Sequence, residues 1–113
     1  MASMTTPLVK FTSNGNSITY ELPDHTVAEP RLVIQKRTVA TSIDGKAVDS
    51  FKTVYGTTDV DGELLSSKIS IETIVSRPVK AVTADIDAAM AVHRDIIASD
   101  EMDAMVDSQR ALA

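Results

Sequence analysis

His25 and His93 are the chain's only imidazoles, and neither has a second His or a Cys at metal-ligand spacing. Because Cys is absent altogether, disulfides, thiolate metal sites and thiol nucleophiles are excluded together. His93 falls on an apolar stripe at helical spacing, where a core or interface histidine is expected, since no nucleophile or orienting group stands beside it. His25 reads as a loop residue. The run Asp59-Val60-Asp61-Gly62-Glu63 is faintly like a calcium loop, but the third acidic ligand before the glycine and the distal Glu are missing, so a hairpin turn is expected. Gly45-Lys46 lacks the upstream Gly and the following Ser or Thr of a phosphate loop. Asp103 and Asp107, one helical turn apart, are explained by a solvated helix face. The sequence offers no enzyme, and no metal or cofactor is expected.

What remains is the chemistry of long donors and small hydroxyls on predicted strands. Side chains alternate along a strand, so Arg31, Val33, Gln35, Arg37 and Val39 share one face, and Leu32, Ile34, Lys36, Thr38 and Ala40 the other. On the following strand Phe51, Thr53 and Tyr55 oppose Ser50, Lys52 and Val54. If the apolar sets pack beneath helices, the free face collects Arg31, Gln35, Arg37, Ser50, Lys52, Lys68, Ser70 and Glu72. Such a mixture suits phosphates and unstacked bases. It equally suits a solvated sheet face, because antiparallel sheets often expose one polar side.

The elements that must position these residues follow from the patterning. Leu8 to Leu22 reads as a hairpin about Asn14-Gly15, which supplies the positive φ of a tight turn. A connection follows through Pro30, with a short edge strand expected at Thr26 to Ala28. Long strands are expected at Arg31 to Thr41, Val48 to Tyr55 and Leu64 to Val75, the last alternating Leu65, Ile69, Ile71, Thr73, Val75 against Ser66, Lys68, Ser70, Glu72. Pro78 stops the sheet, which spans about 7–76. Helices are expected over about 83–98 and 100–111, capped by Thr83 and Ser99, with Asp85 and Asp87 in the first turn and Arg110 near the last end. Ile86, Ala89, Met90, His93, Ile96 and Ile97 form one apolar stripe, and Met102, Met105, Val106, Gln109 and Leu112 another. This order is α+β: an N-terminal hairpin and antiparallel sheet, then two C-terminal helices over one face.

Composition bounds the rest. A length of 113 residues predicts a single domain, 1–113, and a 43% hydrophobic fraction places it among folded rather than disordered chains. With two Tyr, two Phe and no Trp, the core is modest for two helices and several strands, which predicts further burial in at least a dimer. Residues 1–6 lack the basic flank and apolar run of a signal peptide, and no stretch reaches the length of a membrane span, so a soluble, unsecreted protein is expected. The net charge of −5 argues against a general nucleic-acid binder. Its distribution keeps a local basic surface open, since residues 31–80 carry eight Lys or Arg against six acids and residues 81–113 carry two against seven.

The whole pattern resembles the coat protein of single-stranded RNA bacteriophages, the levivirus-like family. The hairpin at Leu8 to Leu22, the three long strands and the two helices carry the likeness, and so does the rhythm of Lys68-Ile69-Ser70-Ile71-Glu72-Thr73-Ile74-Val75 running through Pro78 to Ala84-Asp85-Ile86. The resemblance implies an obligate, intertwined homodimer with a continuous sheet, the helices of each subunit crossing the partner's sheet through Ile86, Met90, His93, Ile97, Met102, Met105 and Val106. It implies a T=3 icosahedral capsid around single-stranded viral RNA, assembled in the bacterial cytoplasm. It places Arg31, Gln35, Arg37, Ser50, Lys52, Lys68, Ser70 and Glu72 against the RNA, with Arg and Lys neutralising phosphates and Gln, Ser and Glu reading base edges or ordering the basic side chains. Binding of an RNA hairpin that represses replicase translation is a further implication, and the 56–63 connection would make shell contacts. Two departures stand against the RNA-hairpin role: the overall acidity, and the lack of an aromatic at the end of the last strand. The competing reading is a small dimeric α+β binding or scaffold domain that forms no shell.

Overall fold

The computed structural model describes residues 3–112, so the start of the segment Met1 to Thr6 lies outside the described residues. The chain divides into two compact units, a sheet unit up to Val79 and a helical unit from Lys80.

The sheet unit is a meander of five antiparallel strands in sequential order: β1 (Val9–Asn14), β2 (Ser17–Glu21), β3 (Arg31–Thr38), β4 (Lys46–Tyr55) and β5 (Ile69–Pro78). Asn14 pairs with Ser17, leaving Gly15 and Asn16 as the two-residue loop. Gly15 has φ +61° and Asn16 does not share the positive sign, the pattern of a type II′ turn with Gly at its first central position. The register of β1 shifts between Lys10 and Thr12, so Phe11 is a bulge residue.

Several boundaries differ from the sequence pattern. No edge strand forms at Thr26 to Ala28, because Thr26 and Glu29 satisfy one another: Thr26 N–H donates to Glu29 O at 3.3 Å and Glu29 N–H to Thr26 Oγ1 at 3.0 Å. β3 stops at Thr38 and β4 begins at Lys46, so the connection spans 39–45 rather than a short Asp-Gly turn. β5 begins at Ile69, since Leu64 only bridges Thr58 and Leu65 N–H donates back to Thr57 O at 3.0 Å. Asp59 organises this 56–68 connection: its Oδ1 accepts from Asp61 N–H at 2.9 Å and Glu63 N–H at 3.0 Å. A carboxylate satisfied by its own loop amides is a turn device, as the sequence suggested.

The helical unit holds α1 (Thr83–Ile97) and α2 (Asp100–Ser108). Thr83 is the first helical residue rather than the cap. Val82 is the N-cap: its carbonyl accepts from Asp85 and Ile86 N–H, and its apolar side chain can make no cap bond. Ser99 caps α2 as expected, with Oγ accepting from Met102 N–H at 3.1 Å and donating to Ile96 O at 2.6 Å. α2 ends at Ser108 with Gln109 in the left-handed region, which leaves Arg110 beyond the helix it was expected to complement.

A single-chain core is almost missing. Among the described residues only Leu22, Pro30 and Gly56 are buried. Ile69, Ile71 and Ile74 of β5 remain about half exposed or more, at 49%, 56% and 60%.

Candidate nucleic-acid interface

Strand register decides which side chains share a face. Arg31, Val33, Gln35 and Arg37 stand opposite Tyr55, Thr53, Phe51 and Asp49. Those residues in turn stand opposite Ile69, Ile71, Thr73 and Val75. Ile18 and Tyr20 extend the same face on β2 through Gln35 and Val33. With Tyr20, Phe51 and Tyr55 beside five aliphatic side chains, this is the more apolar of the two faces.

The other face is built from rows of different character. Ser17, Lys36, Ser50 and Ile74 form one row, and Thr19, Ile34, Lys52 and Glu72 the next. Glu21, Leu32, Val54 and Ser70 form a third, and Lys46 stands opposite Pro78 at the end of the sheet. Lys36 and Lys52 are diagonal neighbours across β3 and β4, a spacing of about 7–8 Å between backbones. The Lys36, Lys46, Ser70 and Glu72 side chains are exposed, while Ser50 and Lys52 are half-buried. Three ammonium groups with interspersed hydroxyls can meet phosphates, and Glu72 opposite Lys52 tempers the charge.

The eight residues expected on one surface are therefore divided between two. Ser50, Lys52, Ser70 and Glu72 do lie together, and Lys68 lies exposed just before β5. Arg31, Gln35 and Arg37 lie on the apolar face, because Gln35 pairs with Phe51 rather than with a residue of the polar set. Each is also engaged or opposed there. Arg31 Nη2 is 3.2 Å from Glu29 Oε1, with its guanidinium carbon 4.3 Å from the Tyr55 ring centroid. Gln35 Oε1 accepts from Tyr20 Oη at 3.3 Å, and Arg37 faces Asp49. Lys36 and Lys46 were missed. Counting alternation from Ser50 back across an assumed offset could have found them, but the 39–45 connection hides that offset.

On the helices, Ile86, Met90, Met102 and Met105 are half-buried, whereas His93, Ile97 and Val106 are exposed. Among the described residues no group of three or more His, Cys, Asp or Glu could hold a metal ion. No described helix is long and apolar enough to cross a membrane.

The five-stranded antiparallel sheet followed by two C-terminal helices matches the fold of solved RNA-phage coat chains. A chain from the virus-like particle of Wenzhou levi-like virus 4 matches with TM-score 0.75 at 16% identity, over 93% of this chain and 75% of that one. One from the virus-like particle of Beihai levi-like virus 32 matches with TM-score 0.74 at 15% identity, over 95% and 84%. The bacteriophage EMS014 coat protein matches with TM-score 0.63 at 14% identity, over 84% and 66%. No protein-family model and no curated protein matches the chain in sequence.

Proposed function

We propose that this chain is the coat subunit of a single-stranded RNA phage, acting as an obligate homodimer that builds an icosahedral shell, of T=3 geometry, around the genome. The observation that carries this reading is a five-stranded sheet of coat fold whose broad apolar face leaves Ile69 and Ile71 about half exposed in the single chain. Each Ile side chain is worth about 1.5–3 kcal/mol when fully covered, so such a face calls for a second layer. The helices of a second copy supply it, through Ile86, Met90, His93, Ile97, Met102, Met105 and Val106.

The two sheet edges differ in a way that supports pairing through β5. β1 is six residues long and bulged at Phe11, and bulges discourage edge pairing. β5 is ten residues long, regular along its pairing with β4, and carries Pro only at its last position. Two β5 strands running antiparallel join the sheets of a dimer.

The polar face then turns inward to RNA. Lys36, Lys46, Lys52 and Lys68 neutralise phosphates, while Ser50, Ser70 and Glu72 contact bases or order the lysines. Recognition of an RNA hairpin and repression of replicase translation would use this same face. The acidic helical unit faces outward, the 56–63 connection makes contacts between dimers, and assembly proceeds in the bacterial cytoplasm.

Size-exclusion chromatography with light scattering and absorbance at nucleic-acid and protein wavelengths, followed by electron microscopy of the leading peak, tests the reading. Uniform megadalton spheres carrying RNA are expected. Dimers that stay RNA-free and dispersed after RNA is added would instead favour a small binding or scaffold domain.

A further inference from the structure

We propose that His25 is a proton-sensitive clasp on the connection between β2 and β3. Two closures tie that connection to Arg31: Leu22 N–H donates to Arg31 O at 2.9 Å, and Arg31 N–H donates to His25 Nδ1 at 3.0 Å. The second closure dictates the state of the ring. Nδ1 accepts, so it carries no proton, and the ring's N–H is on Nε2.

The ring is held from two sides. Phe11 lies against it with centroids 5.5 Å apart and planes tilted by 60°, and Phe11 is the bulge residue of β1. A bulge re-aims a side chain, here toward His25. The charged groups about the ring are mixed in sign. Arg31 is paired with Glu29 at 3.2 Å and stacked on Tyr55, and Glu21 and Asp24 line the same shallow cleft as His25. None of these groups can replace the acceptor that protonation removes.

Protonation at Nδ1 turns the acceptor into a donor and sets two N–H groups against each other. The closure is therefore present with the neutral ring and lost when the ring is protonated. The consequence reaches β4, because Pro30 O accepts from Gly56 N–H at 2.8 Å, anchoring the start of the 56–68 connection to the same loop. Acid therefore loosens residues 22–31 and slackens the anchor at Gly56. The clasp operates within one chain and is independent of what the sheet binds.

Hydrogen exchange by mass spectrometry on the full chain at pH 7.5, 6.5 and 5.5, corrected for intrinsic exchange, tests it. Protection of 22–31 should fall about fivefold from pH 7.5 to 5.5, the factor carried by one hydrogen bond of ordinary net worth, while β5 holds steady. His25→Asn, whose Oδ1 lies as many bonds from Cβ as Nδ1 does and gains no proton in this range, should keep its protection throughout. His25→Phe, retaining a ring but no acceptor, should sit at the low level at every pH. A pH-independent wild type, a His25→Asn variant that loses protection as the wild type does, or a His25→Phe variant as protected as the wild type at pH 7.5 would each overturn the clasp.

Discussion

Ile71 and Ile74 offer an internal comparison on one strand. They lie three residues apart on β5 and are 56% and 60% exposed, yet Ile71 stands opposite Thr53 on the apolar face and Ile74 opposite Ser50 on the polar one. Truncating either to Ala removes the same three carbons, about 2.4 kcal/mol if fully covered, at about 0.8 kcal/mol per carbon. If a partner's helices cover the apolar face, they cover the 56% of Ile71 that the single chain leaves open. That share is about 1.3 kcal/mol per copy and about 2.7 kcal/mol per dimer, or roughly a hundredfold in the dissociation constant. Ile74→Ala, left facing the open side, should stay within about fivefold. Urea unfolding at several protein concentrations is the suitable assay, since folding and association of an interlocked dimer are one equilibrium. Equal losses from the two substitutions, or a larger loss from Ile74→Ala, would refute both the face assignment and the covering helices.

Lys36→Ala with Lys52→Ala should leave particles intact but lower the RNA they retain, reducing the slope of log affinity against log salt by about 1.4, or about 0.7 per lost phosphate contact on a single strand. Arg37→Ala should leave that slope unchanged, as filter binding across a salt series would record. Gly56→Ala would bring a Cβ to 2.8 Å from Pro30 Cδ and 3.1 Å from Glu29 Cα. The resulting overpacking should cost about 1–3 kcal/mol, read as a lower urea midpoint at constant slope. Ser99→Ala removes the acceptor for Met102 N–H and should cost about 1 kcal/mol by the same measurement.

Much of the fold is legible without coordinates because its signals are local. Asn14-Gly15 marks the hairpin through the backbone freedom of glycine, Ser99 marks the start of α2 through its hydroxyl, and the alternation of Ile69, Ile71, Thr73 and Val75 marks one face of β5. Finer boundaries escape where two local solutions compete. Thr83 has the chemistry of a cap, yet the Val82 carbonyl opens the helix one residue earlier. Thr26 to Ala28 has strand-like composition, yet Thr26 and Glu29 close a loop on themselves.

The candidate interface shows where local reading ends. The sequence by itself determined the order of strands and helices, the positions of the tight turns and the partition of charge, since each depends on neighbours in the chain. Only the tertiary structure decided that Ser50, Lys52, Ser70 and Glu72 share a face with Lys36 and Lys46, while Arg31, Gln35 and Arg37 join Tyr20, Phe51 and Tyr55. Side chains alternate with a period of two, so an offset of one residue between β3 and β4 exchanges the faces. That offset is set by hydrogen bonds between strands joined through the 39–45 connection, and no pattern within either strand encodes it.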